Sequence, residues 1–194
     1  GIRTAIIDLD PDQLASALWH DDRKKLHPTK AEWPLVKAGV YTRLPQTIEE
    51  LERAGTEFVF IDCPAFTSIV TEKAMEVCDL ALVISGVTGG DLQYLEKTMD
   101  IAAIKQKPAA VVLNKVDPQI RETDQAIDYI TKSGYALCPI YLSDLVACHR
   151  AVSAALGVTE YEPGGKATQE ALSVLEWLSR LLYLSTDIDV EPVN

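Results

Sequence analysis

Apolar and polar positions follow two periods along this chain. Five short runs are almost wholly apolar: residues 4–8 (TAIID), 58–62 (FVFID), 80–85 (LALVIS), 109–115 (AAVVLNK) and 136–142 (ALCPIYL). Runs of this length without polar alternation fit strands covered on both faces, as in a parallel sheet. A weaker strand is read over 40–43. Helix-period segments fall at 47–54, 91–105, 122–133, 144–156 and 168–184. Asp91 reads as the N-cap of LQYLEKTMDIAAIK, with Pro108 beyond its end. The stretch 20–34 (HDDRKKLHPTKAEWP) is the most loop-like, and 185–194 (STDIDVEPVN) reads as a frayed acidic tail. Strands alternating with helices predict an α/β, doubly wound, mostly parallel sheet flanked by helices. No repeat or long linker divides the chain, so a single domain over 1–194 is expected.

Ligands of open α/β sheets bind at the carboxyl ends of the strands. Three of the runs end there in polar groups: Asp8 with Asp10, then Asp62, then Asn114 with Asp117. Any one of these is as readily a helix cap or a turn residue; three on one sheet edge point to a site. FVFIDCPAF has the form of a Walker B strand, whose aspartate, here Asp62, holds Mg²⁺ through water because the hard cation keeps much of its hydration shell. VVLNKVDP has the form of a base-recognition strand, since the Asn114 amide donates and accepts at once. Asn114-Lys115-Val116-Asp117 also satisfies the NKxD pattern that reads guanine, which keeps GTP open beside ATP.

Charge and cysteine content narrow the classes further. Lys and Arg number 18 against 29 Asp and Glu, a formal net of -11, which opposes binding to a nucleic-acid backbone. Arg23-Lys24-Lys25, the densest basic run, reads as a solvated helix end. Cys63, Cys78, Cys138 and Cys148 form no CxxC pair, and His20, His27 and His149 form no ligand pattern with them. That usage suits reduced thiols in a cytosol. The apolar runs are too short to span a bilayer and no signal peptide is present, so a cytoplasmic protein with no membrane partner is expected.

AIIDLDP, FVFIDCPA, VVLNKVDP and CPIYLSDLVACHRAVSAALGVTEYEP resemble, in order and spacing, the ParA/MinD family of deviant-Walker P-loop ATPases. The resemblance runs from about residue 4 to 177. Gly157-Val158, Tyr161-Glu162-Pro163 and Lys166-Ala167 are more similar to plasmid-type ParA proteins than to MinD, and no Lys or Arg follows Arg180 to make a basic membrane helix. The resemblance implies that Asp8 stands near the magnesium shell and that Asp10 positions the attacking water. It makes Asp62 the metal acid and Asn114 the adenine contact, with Asp117 beside it, and sets Pro139 to Leu142 next to the base. It further implies ATP and Mg²⁺, a homodimer closed by nucleotide, and a ParB-like partner protein in plasmid or chromosome partitioning. Nonspecific DNA binding, usual among ParA proteins, is weakened here by the acidic charge.

One motif of that family is absent. No KGGxGKT-like Walker A segment occurs in the 194 residues. Residues 163–167 (PGGKA) contain GGK, but Glu160 stands where GxxxxGK needs Gly and Ala167 replaces the Ser or Thr, so they read as a turn into the last helix. Residues 86–90 (GVTGG) have no lysine until Lys97 and read as a loop. The strand, loop and helix of a P-loop unit belong inside the sheet, and lacking them leaves strand edges open. The expectation is an N-terminally truncated ParA-like domain, inactive as written. The alternatives are a P-loop-less binding or scaffold module, and a ParA-like ATPase that positions another cargo.

Overall fold

The computed structural model describes residues 2–66 and 68–185. Apart from Ser185, the expected acidic tail lies outside the described residues. The chain divides into two compact units: one made by the chain up to Cys78 with Val146–Tyr161, the other by Asp79–Leu145 with the chain from Glu162. All strand pairings are parallel, as the alternation of strands and helices predicts.

The first unit holds strands β1 (Thr4–Asp8), β2 (Leu35–Ala38) and β3 (Phe58–Asp62) in the order β2-β1-β3. Ala5, Ile7 and Leu9 point to one face with Val59 and Ile61. That face is covered by Leu44 and Leu51 of helix α2 (Leu44–Arg53) and by Ala74 of α3 (Ile69–Val77). Side chains alternate along a strand, so Asp8 and Asp62 belong to the other face. There helix α1 (Ala15–Leu26) packs on β1 and β2.

Helix α1 occupies part of the stretch that reads as a loop. Its buried residues are His20 and Arg23, so the inward stripe is polar and lacks the apolar period of a core helix. The weak strand expected over 40–43 is corrected to Leu35–Ala38, and Tyr41–Arg43 forms a 3₁₀ turn into α2. The chain leaves β2 at Gly39, whose N–H donates to Asp8 O over 2.8 Å. A Cβ there would lie 2.5 Å from Ile7 Cγ2, so the close approach to β1 requires glycine. Helix α3, not expected from the apolar pattern, is capped by the Ser68 hydroxyl, which accepts from Val70 N–H.

The segment 144–156, expected as one helix, contains α6 (Val146–Ser153) and then a left-handed Ala155 at φ 52°. A short helix α7 (Val158–Tyr161) follows. The pair docks on α1: Arg23 reaches Ala155 O and Glu160, and His27 Nε2 lies 2.8 Å from Ala154 O.

In the second unit, β4 (Ala81–Ser85), β5 (Ala109–Val116) and β6 (Ala136–Leu137) lie in that order, and β7 (Leu142–Ser143) pairs with the end of β5. Strand β5 is the core of this unit, with Ala110, Val111 and Val112 fully buried. Leu95 and Met99 of helix α4 (Gly89–Ile104) pack with Ala126 and Ile130 of α5 (Arg121–Lys132) in one cluster. Val174 and Leu178 of α8 (Lys166–Ser185) pack with Val112 and Cys138 in another. The strand expected over 136–142 is split into β6 and β7, because Pro139 has no N–H to give the ladder. The N-cap of α4 is Thr88 and not Asp91. Thr88 Oγ1 accepts from Asp91 N–H while the Asp91 carboxylate accepts from Thr88 N–H, a reciprocal capping box.

Among the described residues, β3 pairs only with β1 and β4 only with β5, so each keeps one unpaired edge. Each also carries an exposed large apolar side chain, Phe60 on β3 and Ile84 on β4.

Candidate functional site

The carboxyl edge of the β2-β1-β3 sheet carries the three acids read from the sequence. Asp8 and Asp62 occupy matched positions of adjacent strands, the one buried and the other half-buried. Leu9 N–H donates to Asp62 O over 2.8 Å and prolongs the ladder past both acids.

Their carboxylates have different partners. Asp8 uses both oxygens on backbone: Oδ1 accepts from Asp10 N–H at 3.1 Å and Oδ2 from Ala17 N–H at 3.1 Å. Ala17 lies in the first turn of α1, so Asp8 fills the anion position that a helix N-terminus offers. Asp10 Oδ1 accepts from Asp12 and Gln13 N–H at 3.0 and 3.1 Å, an Asx turn leading toward α1. Asp62 Oδ2 accepts from the Ser16 hydroxyl over 2.7 Å. Among the described residues Asp10 Oδ2 and Asp62 Oδ1 accept no hydrogen bond, and no Lys, Arg or His pairs with any of the three acids. Cys63 follows directly. Burial, then the adjacent Asp62 charge, pushes its thiol up to about 12, so it stays neutral.

Ser16 is the residue that sequence reading misses. Its only signal is a hydroxyl at the start of a segment whose helix is itself hidden by polar inward residues.

The second unit carries the other predicted group. Asn114 closes the regular part of β5 opposite Leu142 of β7, so these two site residues are brought together by register. Asn114 Oδ1 accepts from Lys115 N–H at 2.9 Å, and Lys115 is left-handed at φ 55°. The amide nitrogen makes no hydrogen bond among the described residues and is free to donate to a base. Asp117 is exposed; its Oδ1 accepts from Gln119 N–H at 2.9 Å, and its carbonyl accepts from the Thr123 hydroxyl at 2.7 Å. Pro139 is exposed in the turn between β6 and β7. Glu170 of α8 grips Ser143 through N–H and hydroxyl at 2.8 and 2.7 Å, which holds β7 beside Asn114. Sequence reading does not anticipate that contact either.

The donor set fits a hydrated magnesium ion better than a caged metal. Among the described residues no group of three His, Cys, Asp or Glu side chains could enclose an ion. Mg²⁺ needs no such cage, since it commonly takes one or two carboxylates and keeps its waters. Asp62 Oδ1, in register with Asp8 and with no Lys, Arg or His paired to either among the described residues, meets that need. At the N-terminus of α1 the Ala17 N–H is already taken by Asp8, and the 194 residues hold no glycine-lysine phosphate loop. No described helix is long and apolar enough to cross a membrane.

No protein-family model matches the chain. No curated protein matches it either. Solved structures do. The septum site-determining protein MinD of Pyrococcus horikoshii, complexed with Mg-ADP, is 16% identical at a TM-score of 0.70, covering 97% of this chain and 88% of its own. The MinD cell division protein of Aquifex aeolicus is 12% identical at a TM-score of 0.71, covering 100% and 87%. A ParA family ATPase from Chlorobium tepidum is 14% identical at a TM-score of 0.64, covering 91% and 85%. With parallel sheets flanked by helices and acids at the strand ends, the chain has the fold of the MinD/ParA ATPases.

Proposed function

We propose that the chain is a ParA-like ATPase domain that couples ATP binding and hydrolysis to dimerisation and to the positioning of plasmid or chromosomal cargo. The observation that carries this reading is the matched pair Asp8 and Asp62, at the carboxyl edge of the sheet, with no protein cation among the described residues. Two carboxylates so placed attract a divalent ion.

In this reading Asp62 holds the hydrated ion through Oδ1. Asp10, with Oδ2 unengaged, orients the attacking water, and Asp8 fixes the geometry of both. Asn114 donates to the adenine, with Asp117, Pro139 and Leu142 beside the base. The ion, when bound, neutralises phosphate charge, and the rest of the catalysis is positioning. The homodimer, the ParB-like partner, a cytoplasmic setting and weak nonspecific DNA binding belong to the same proposal.

We also take the 194 residues as belonging to one domain, as the sequence predicts. Hydrolysis in this reading needs a phosphate-binding loop, and the 194 residues contain no glycine-lysine motif of that kind. Calorimetry on this chain, and on a form extended by its upstream coding sequence, tests the proposal. Binding of ATP that depends on Mg²⁺ and exceeds that of GTP is expected, stronger in the extended form. No magnesium-dependent binding in either form rejects it.

A second reading is favoured by the engagement of α1's N-terminus with Asp8: a scaffold module that keeps the fold and binds a partner without hydrolysis. It predicts dimerisation indifferent to nucleotide in sedimentation experiments. An ATPase for another cargo shares the first reading's binding profile, and a neighbouring ParB-like gene separates the two.

A further inference from the structure

Successive residues of one helical turn hold the two strand-end acids. Ser16 Oγ donates to Asp62 Oδ2 over 2.7 Å, and Ala17 N–H donates to Asp8 Oδ2 over 3.1 Å. Serine in a first helical turn ordinarily bonds to backbone close by in sequence. This one reaches 46 residues away, to the strand beyond β1. The bond is short and its acceptor is a carboxylate, a class of hydrogen bond stronger than that between two neutral groups. A carboxylate held by one oxygen loses its freedom to rotate and offers the other oxygen in a fixed direction.

We propose that Ser16 is a positioning residue for Asp62: it holds Oδ2, so that Oδ1 is the oxygen presented to a divalent cation. The seating of α1 thereby becomes part of the metal site. This deepens the proposed reading of Asp62 as the metal acid and rests on it. Hydrogen bonds from neighbouring groups orient metal ligands in the same manner elsewhere, and their loss weakens metal binding. Helix α1 also has a fixed far end, where Arg23 and His27 contact the segment Val146–Tyr161. A cation that draws on Asp62 therefore pulls on a helix anchored at both ends.

The probe is Mn²⁺ alone, titrated into the full chain while free Mn²⁺ is counted by electron paramagnetic resonance. Ser16→Ala is expected to weaken binding about tenfold, the lower end of the effect of removing such a partner. Ser16→Thr, which keeps the hydroxyl, is expected to restore it to within about twofold, and Asp62→Asn to abolish it. Amide exchange in the first turn of α1 is the second readout. Mn²⁺ slows it in the wild type and leaves it unchanged in Ser16→Ala, a difference that a purely structural serine does not produce. If Ser16→Ala fails to fold, Ser16→Cys, nearly the same size with a weaker donor, takes its place. Equal Mn²⁺ affinity in wild type and Ser16→Ala overturns the role of Ser16 and leaves Asp62 as the metal acid. Binding that survives Asp62→Asn, or is missing in the wild type, overturns the Asp62 reading and the Ser16 proposal with it.

Discussion

The Arg23–Glu160 pair allows a stability effect to be worked out before measurement. Arg23 is only 4% exposed, yet every part of its guanidinium is used. Nη1 and Nη2 grip Glu160 at 2.7 and 2.8 Å, Nε donates to Lys30 O at 3.1 Å, and Nη1 also reaches Ala155 O at 3.2 Å. The Trp19 ring lies 5.2 Å away. The Arg23 hydrogen bonds hold the Glu160 carboxyl at about 2, below its ordinary 4.5, with help from Gly157 N–H. A depression of about 2.5 units corresponds to about 3 kcal/mol at neutral pH. That value is a ceiling, because the Glu160 side chain keeps 28% exposure.

The sign follows from linkage. A carboxyl lowered in the fold stabilises it above 4.5, and the contribution is lost as pH falls toward about 2. About 2 kcal/mol of it has gone by pH 3. Glu160→Gln should therefore cost about 2–3 kcal/mol at pH 7, since it leaves a buried guanidinium without its counter-charge. The gap from wild type should narrow to about 1 kcal/mol at pH 3. Urea unfolding followed by circular dichroism at pH 7, 5 and 3 measures both. A gap below about 0.5 kcal/mol at pH 7, or one that does not change with pH, refutes the reasoning. The double variant Arg23→Met with Glu160→Leu should be more stable than either single variant, because no lone charge remains buried.

Other consequences are as direct. His20 is buried with Nδ1 unbonded, and burial, then Lys24, lowers its pKa below 6.5, against the opposing pull of Asp21. Its neutral form thus supports the fold above pH 6.5, and stability should fall as pH drops below that value; His20→Leu should flatten the loss in thermal melts. Gly39→Ala places a Cβ 2.5 Å from Ile7 Cγ2 and 2.9 Å from Leu9 Cδ2, so urea unfolding should show about 1–3 kcal/mol of destabilisation. Asp8→Ala should destabilise by about 1–2 kcal/mol, since it leaves the part-buried N–H groups of Asp10 and Ala17 without their acceptor, whereas Asp62→Ala should cost about half as much in the same assay.

What the sequence makes legible is what apolar pattern controls. β1, β3, β4 and β5 fall where their unbroken apolar runs place them, because each packs on both faces or against a helix. Helices α4, α5 and α8 follow from the same logic. Helix α1 is illegible because its inward residues are histidine and arginine, made tolerable by partners that only the folded chain supplies. Strand β2 is four residues long and half-exposed, too weak a pattern to place. The site divides in the same way. Asp8, Asp62 and Asn114 stand at or near strand ends, with Asp10 two residues past β1, and as positions they are legible in the sequence. Ser16 and Glu170 act across 46 and 27 residues, a separation that no local pattern encodes.

The three acids of the first unit look equivalent in sequence, and their hydrogen bonds make them unequal. Asp8 is buried and joined by both oxygens to the backbone, one of them at the start of α1. Its bond to Ala17 N–H takes one of the first-turn donors of α1 that would otherwise face an anion. Among the described residues, Asp10 and Asp62 each keep one oxygen without a protein donor. The sheet thus divides the work among them: Asp8 sets where the helix begins, and the helix, through Ser16, sets how Asp62 faces.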